Sequence, residues 1–429
     1  MPGPFAVSTA LHGSYTYGRG PYEFGSSLFC FGFVAFGVVG IYKSTDEGQT
    51  WVQVGSTKTI TSSNQTFASC LSNDGAYVYL LYCGATPEYV VVSRLNLSLE
   101  DFDSDSPNGP HLADGASNAP VLNIAQADDG TLVVLLKTFR LGGQSTASIA
   151  TLNSGISSWS STTEPSGQTG TKQFLGVGLV AMASGRVHGF VDEEDSGDHR
   201  LLHVLAYGSG GSIGTDFSEV AEIADGFPNV SAARFGTKIG VAFNSFDVGI
   251  GDPKAVSVAI AEDADVPSWS VTTVDNATVG TEVNSQLELI GGSNFRVVYW
   301  PSGGDLLASA YDGVGWGSPE VLTSPADFAV FIDGGEISNG YGFLYADTDF
   351  VTDATSLYYH VAGGATITGS AGIPSEEAFG KTHGVYGGGE PETCGAPVPI
   401  PPAVPCQQIP VTPAYPGDQD LCPTSGYSL

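Results

Sequence analysis

The sequence is poor in positive charge. Lys and Arg together supply 14 of 429 residues against 45 Asp and Glu, a formal net charge of −31. Nucleic acid and anionic membrane surfaces are therefore excluded as main partners, since both are bound through basic patches that release counterions. No run of about 18 apolar residues occurs, so no transmembrane helix and no membrane insertion are expected. Cysteine is scarce, at 6 residues, which rules out a small disulfide scaffold. Long apolar stripes of period 3.6 are also missing, so helices are not expected to carry the fold. The segment Met1–Phe5 has neither a positive region nor a following apolar core, and no secretory signal is expected from it.

What the chain has is glycine, 58 residues of it, and 41% hydrophobic content, enough for a sizeable core. Apolar residues come in short runs rich in Val, Ala, Leu, Phe and Tyr, broken by Gly, Asp, Asn and Ser. That is the pattern of strands joined by turns. An anchor, usually aromatic, recurs at Trp51, Phe102, Trp159, Phe217, Trp269, Trp316 and near Thr366, in steps of 51, 57, 58, 52, 47 and 50 residues. Each anchor opens a short strand, and three further strands precede it. In one repeat these are Gln65–Leu71, Tyr77–Tyr82 and Val90–Ser93; in another they are Ser285–Ile290, Asn294–Trp300 and Leu306–Tyr311. Tight turns such as Asn73-Asp74-Gly75 join first strands to second.

Four strands about every 50 residues define the blade of a β-propeller. The sequence thus predicts an all-β fold, a seven-bladed propeller of four-stranded blades over residues 1–387. The first blade lacks an evident first strand before Ser27–Gly37. Phe5–Tyr15 or the C-terminal Gly380–Tyr386 is expected to supply it. Residues 388–429 contain ten prolines and the cysteines Cys394, Cys406 and Cys422. This composition predicts an extended arm that docks on other protein subunits of an assembly. Cys30, Cys70 and Cys83 fall in or near strands and are expected to be free core thiols.

The segment Ser44-Thr-Asp46-Glu-Gly48-Gln-Thr50-Trp51 matches the Asp-box pattern S-x-D-x-G-x-T-W at all five fixed positions. In this motif the chain resembles the sialidase and BNR-repeat β-propellers. The resemblance implies a hairpin between the third and fourth strands of a blade, on the face opposite the active site, and so a structural role. Asp46 is expected to accept N–H bonds in the turn, Gly48 to adopt positive φ, and Trp51 to pack between sheets.

Sialidase chemistry does not carry over with the turn. Such enzymes hold a substrate carboxylate with three arginines and show an Arg-Ile-Pro motif, and this sequence has no Arg-Ile-Pro. Of seven arginines only Arg140 and Arg200 are expected on the ligand face, with Asp247 and Asp252 in a loop of the same kind. No mapped first strand begins with Arg. The Gly210-Gly-Ser-Ile-Gly214 match to G-x-S-x-G lacks the strand–turn–helix setting of a nucleophile elbow. Neither H-E-x-x-H nor C-x-x-C is present, so zinc is not expected. Two acidic loops between second and third strands, carrying Asp192, Glu194 and Asp198, and Asp347, Asp349 and Asp353, are candidate Ca²⁺ ligands; otherwise no cofactor is expected.

On these grounds the leading expectation is a non-enzymatic structural or adhesion propeller of an extracellular assembly, foremost a virus or phage virion protein, with a glycan as a candidate ligand. One alternative is a carbohydrate-active enzyme, a sialidase-like glycosidase or lyase. The other is a cellular propeller that binds protein or glycan.

Overall fold

The computed structural model describes residues 5–9, 18–35, 37–60, 67–84, 89–110, 122–139, 145–166, 168, 173–195, 198–222, 230–246, 253–275, 287–301, 305–323, 329–338, 340–349 and 354–362. The boundary at residue 387, the arm 388–429 and the anchor near Thr366 lie outside them.

The strands form seven antiparallel sheets. The first strand in the chain, β1 (Phe5–Thr9), belongs to the last of them. Blade one is β2 (Gly18–Phe24), β3 (Ser27–Ala35), β4 (Val38–Ser44) and β5 (Val52–Thr59). Blade two is β6 (Phe67–Leu71), β7 (Tyr77–Cys83), β8 (Val90–Asn96) and β9 (Asp101–Asp105). Blade three is β10 (Leu122–Gln126), β11 (Leu132–Phe139) and β12 (Ser145–Leu152). Its fourth position is a segment tied to β12 by the bridges Leu152–Trp159 and Ile149–Thr163 and by the Ser160 N–H, which donates to the Thr151 carbonyl. Blade four runs β13 (Gln173–Ala181), β14 (Val187–Asp195), β15 (Asp198–Tyr207) and β16 (Ser218–Glu222). Blade five runs β17 (Val230–Phe235), β18 (Lys238–Phe246), β19 (Pro253–Glu262) and β20 (Ser270–Asp275). Blade six runs β21 (Leu287–Ile290), β22 (Arg296–Tyr299), β23 (Leu306–Ala310) and β24 (Glu320–Thr323). Blade seven is β25 (Ala329–Ile337), β26 (Gly340–Asp349) and β27 (Ala354–Ala362), closed by β1 on its outer edge.

This arrangement corrects the expectation for the first blade. Its inner strand is β2, which the sequence hides because Gly18-Arg19-Gly20-Pro21 contains no run of branched or aromatic residues. Phe5–Thr9 instead pairs with β27, Phe5 opposite Tyr359, and takes the outer place where the anchor near Thr366 was expected. The ring is closed by the N-terminal strand acting as the fourth strand of the last blade.

Side-chain alternation explains why the blades stack. In β7 the residues Val78, Leu80 and Tyr82 join the cluster shared with blade one, while Tyr79, Leu81 and Cys83 join the cluster shared with blade three. Successive side chains point to opposite faces, and here both faces are apolar. The described residues hold seven such clusters, one for each seam of the ring. The recurring aromatics face the preceding blade. Trp51 meets Tyr359 edge-on with ring centroids 5.2 Å apart, Phe102 stacks on Phe31 at 6.1 Å, and Trp269 meets Phe190 at 5.5 Å.

The Ser44–Trp51 turn is built as its residues suggest. Asp46 Oδ1 accepts from the Thr50 N–H at 2.9 Å and Oδ2 from the Thr50 hydroxyl at 2.6 Å. Ser44 Oγ accepts from the Gly48 N–H at 2.8 Å, and the Trp51 indole donates to the Gly48 carbonyl at 2.9 Å. Partial burial opposes ionisation of Asp46, but these bonds outweigh it and hold its carboxyl below the usual carboxylate range. Gly48 sits at φ 88° with the Tyr359 ring directly against its α-carbon. A methyl there meets both a backbone penalty and a steric one. Gly48→Ala is expected to destabilise the fold by about 3 kcal/mol, read as a lower urea midpoint.

The seam between blades four and five is polar at one point. His188 and His203 share a 2.9 Å hydrogen bond, and His188 Nε2 lies 3.0 Å from Asp263. Arg186 adds contacts to Asp263 at 3.6 Å and Asp265 at 2.6 Å. Burial lowers His188 despite Asp263, and burial followed by His188 takes His203 down to about 3. The unfolded chain binds these protons near pH 6.5, whereas the folded chain binds them only at lower pH, for His203 down to about 3. The stability these neutral rings contribute is therefore complete above about pH 6.5 and falls as the pH drops toward about 3. Replacing His203 with Phe is expected to flatten the decline in urea midpoint across that window relative to the unaltered chain.

Candidate active site

The inner strands of all seven blades line a channel on the ring axis with a cavity of about 690 Å³. Residues that an inner strand cannot bury in a seam face this space. The described lining residues include the neutral polar groups of Ser69, Asn123, Gln126 and Ser231, with Tyr22 beside them. The Tyr22 hydroxyl and Ser69 Oγ are 2.6 Å apart.

A charged group sits where the ring closes. A bulge in β2 between Arg19 and Tyr22 turns the Gly20 N–H toward blade seven, where it donates to Asp333 Oδ2 at 2.6 Å. Arg19 Nη1 donates to Asp333 Oδ1 at 3.3 Å, and Arg19 Nε donates to the Phe67 carbonyl of blade two at 3.3 Å. One residue of blade one thus ties blades seven and two together. Glu288 enters from blade six. Leu287 and Leu289 turn into the seam with blade five, which leaves Glu288 on the other side of β21. The Ser231 hydroxyl bonds to Glu288 and accepts the Leu289 N–H at 2.9 Å.

Burial raises both carboxyl groups. For Asp333 the Arg19 guanidinium and the N–H groups of Gly20 and Gly334 oppose the rise and leave a smaller net increase. Glu288 is driven well above the usual carboxylate range by burial and then by the neighbouring Asp333, with Arg19 and Ser231 only partly offsetting. The two carboxyls have different environments: Asp333 is held by a cation and two backbone donors, Glu288 by one hydroxyl.

Among the described residues, the side chains singled out from the sequence do not meet at this channel. Arg200 lies in a separate recess of about 350 Å³ on blade four, with Phe217 and Asp216. It donates to Glu193 at 2.8 Å and lies 3.7 Å from Asp195. Arg140, Asp247, Asp252 and Asp353 are outside the described residues, as are the side chains of Asp198 and Asp349. Asp192 is fully buried, with His199 Nδ1 at 3.4 Å. Lys137 is close by, and burial pushes its ammonium down to about 8 against the pull of Asp192 and Glu194. Glu194 and Asp347 are half-buried and belong to different blades, four and seven. Among the described residues no group of three or more His, Cys, Asp or Glu is placed to hold a metal ion. No helix among them is long and apolar enough to cross a membrane. Cys30 and Cys83 are buried, whereas the free thiol of Cys70 lines the channel.

Sequence reasoning missed Arg19, Glu288 and Asp333. Arg19 was hidden with its strand. A signal for Glu288 was present: Leu287-Glu288-Leu289-Ile290 places one carboxyl inside an apolar inner strand.

No family model matches the sequence, and no curated protein matches it. Among solved structures it resembles the β-propeller domain of the Trilobed protease from Pyrococcus furiosus, with 10% identity over 81% of this chain and 96% of that one, TM-score 0.47. It also resembles an α-L-arabinanase of Penicillium chrysogenum, with 12% identity over 84% of this chain and 99% of that one, TM-score 0.47. A third is the endosialidase of phage phi92, with 9% identity over 85% of this chain and 70% of that one, TM-score 0.45. The likeness is loose and yields no residue correspondence.

The Arg19–Asp333 pair predicts a measurable coupling. Arg19→Met is expected to cost about 2 kcal/mol of stability by leaving Asp333 without its cation. The loss should shrink when Asp333→Asn is present as well, as read by urea unfolding of the double-mutant cycle.

Proposed function

We propose that this propeller is a carbohydrate-active enzyme that cleaves a glycosidic bond in its axial channel. The supporting observation is the pair of carboxyls, Glu288 and Asp333, that enter one polar channel from adjacent blades with opposed surroundings. Glycoside cleavage uses two carboxyls whose protonation states differ. Glu288, half-buried and beside another carboxyl, keeps its proton and donates it to the departing glycosidic oxygen. Asp333, whose charged form Arg19 and the Gly20 N–H favour against burial, faces the sugar as the base or nucleophile. The hydroxyls of Tyr22, Ser69 and Ser231 and the amide of Asn123 suit the donor and acceptor pattern of sugar hydroxyls. The cavity volume falls in the ordinary range for small-ligand sites.

A virion role has no observation among the described residues to carry it, since the arm that suggested it lies outside them. Candidate Ca²⁺ binding by the acidic loops likewise stands as a separate proposal, testable by titrating the ion against thermal stability.

A screen of aryl glycosides and oligosaccharides, read by chromophore release and mass spectrometry, tests the enzyme reading. Glu288→Gln and Asp333→Asn should each lower kcat/KM by at least about 10²-fold with the fold intact. Activity of the unaltered enzyme should fall as the pH rises through the Glu288 pKa, because the acid must be protonated. Saturable glycan binding with no turnover would make the channel a binding site and overturn the hydrolytic role.

A further inference from the structure

The channel has a charge pattern that bears on which sugar it takes, and this inference rests on the axial channel being the sugar site. Among the described lining residues the ionisable oxygens are those of Glu23, Glu288, Asp333 and Glu336, and the cations are Arg19 and Arg234. Both cations are already engaged. Arg19 is bound to Asp333 and to the Phe67 carbonyl, and Arg234 Nη1 donates to the Ala181 carbonyl at 3.2 Å. Recognition of a ligand carboxylate by Arg depends on the planar two-N–H edge of the guanidinium, and such an edge has the greatest value when it is not already committed to protein oxygens.

Even with Glu288 protonated, three carboxylates stand beside two cations in a channel that opens to solvent, with Glu23 accepting from Ser338 and Glu336 from the Ser293 N–H. Low-dielectric walls focus the field of the lining charges. The surrounding chain adds to it, with a formal net charge of −31. A ligand carboxylate, sulfate or phosphate entering here would be repelled by the channel and find its natural partners occupied. A sugar hydroxyl has no such difficulty, since it can donate to carboxylate and amide oxygens and accept from hydroxyls.

We propose that the axial channel takes uncharged sugars and rejects carboxylated, sulfated or phosphorylated ones. This is the opposite of the arginine-based carboxylate recognition of sialidases, a chemistry that does not carry over with the Asp-box turn. The discrimination is electrostatic in origin, so it weakens as salt shortens the screening length.

The first test needs no ligand. Cys70 is a free thiol on the channel wall. Its modification by a cationic methanethiosulfonate and by an anionic one can be followed by peptide mass spectrometry. Burial pushes this thiol up to about 12, which slows both reactions, so the ratio of the two rates is the quantity to read. An Asn123→Cys variant supplies a second thiol on the same wall. Relative to free cysteine, the cationic reagent should be favoured by about tenfold in low salt. The preference should collapse toward the free-cysteine ratio in about 0.5 M salt, and shrink in a Glu23→Gln, Glu336→Gln double variant. A ratio at or below that of free cysteine at both positions would overturn the proposal.

The second test compares binding of a neutral oligosaccharide with its uronic-acid counterpart. Weaker uronate binding, with a gap that narrows in salt, supports the proposal; equal or tighter uronate binding overturns it. Failure of the enzyme reading is seen separately, as turnover unaffected by Glu288→Gln, and leaves the reagent ratio interpretable.

Discussion

A β-sheet with two apolar faces cannot be stable alone in water, and that constraint orders the whole molecule. Each blade exposes one apolar face to the blade before it and one to the blade after it. Stacking covers both, but a linear stack always leaves two faces bare at its ends. Only a closed ring removes them. The core is accordingly divided among the seams, and the recurring aromatic at the outer strand acts as a wedge in the seam behind it. Burying one Phe- or Leu-sized side chain stabilises by about 1.5–3 kcal/mol, so a seam with seven buried residues larger than Ala tolerates the polar insertion at His188 and His203.

The same closure creates the site. Inner strands brought edge to edge around an axis leave a space too narrow to remain apolar and wet at once. Polar side chains collect there, drawn from separate blades that no local stretch of sequence brings together. Arg19 illustrates the dependence. It reaches forward to the Phe67 carbonyl and backward to Asp333, so its geometry exists only when the first and last blades are in contact. Stability and site geometry are one property at this seam.

The architecture was legible because strand runs and aromatic anchors repeat along the chain. Strands such as Tyr77–Cys83 announce themselves by composition and by the glycine turns beside them. The inner strand of blade one did not. Gly18-Arg19-Gly20-Pro21 reads as a loop, because its strand character comes from pairing with Ser27–Ala35 and from the Asp333 carboxylate that receives its N–H. Ring closure was misplaced for a related reason: a short apolar segment such as Phe5–Thr9 carries no mark of the edge it will join. The site was less legible still. A carboxyl at position 288 is visible as an oddity within an apolar run, but its pairing with position 333 depends on which blades are neighbours. Sequence reasoning instead favoured acidic loops and rim arginines, where charge is dense. Charge density did not mark a loop there, since Asp192 and Glu194 lie in β14 and Asp347 in β26, with Asp192 fully buried, whereas the channel carboxyls stand singly on inner strands.

Among the described strands of the ring, the outer strand of the last blade precedes all the others in the chain. As the chain emerges during synthesis, β1 has no partner until β27 appears, and the two are separated by nearly the whole propeller. Every intermediate blade can form its own hairpins early, but an incomplete stack keeps one bare face at each end. The entropy of joining such distant segments grows only slowly with the length between them, so the delay is set by the order of synthesis more than by the search. The ring therefore stays an open arc until β27 has been made, and β1 must stay unclaimed by other edges until that partner arrives. Its short length, only five residues with a bulge, limits how firmly any wrong edge could hold it in the meantime.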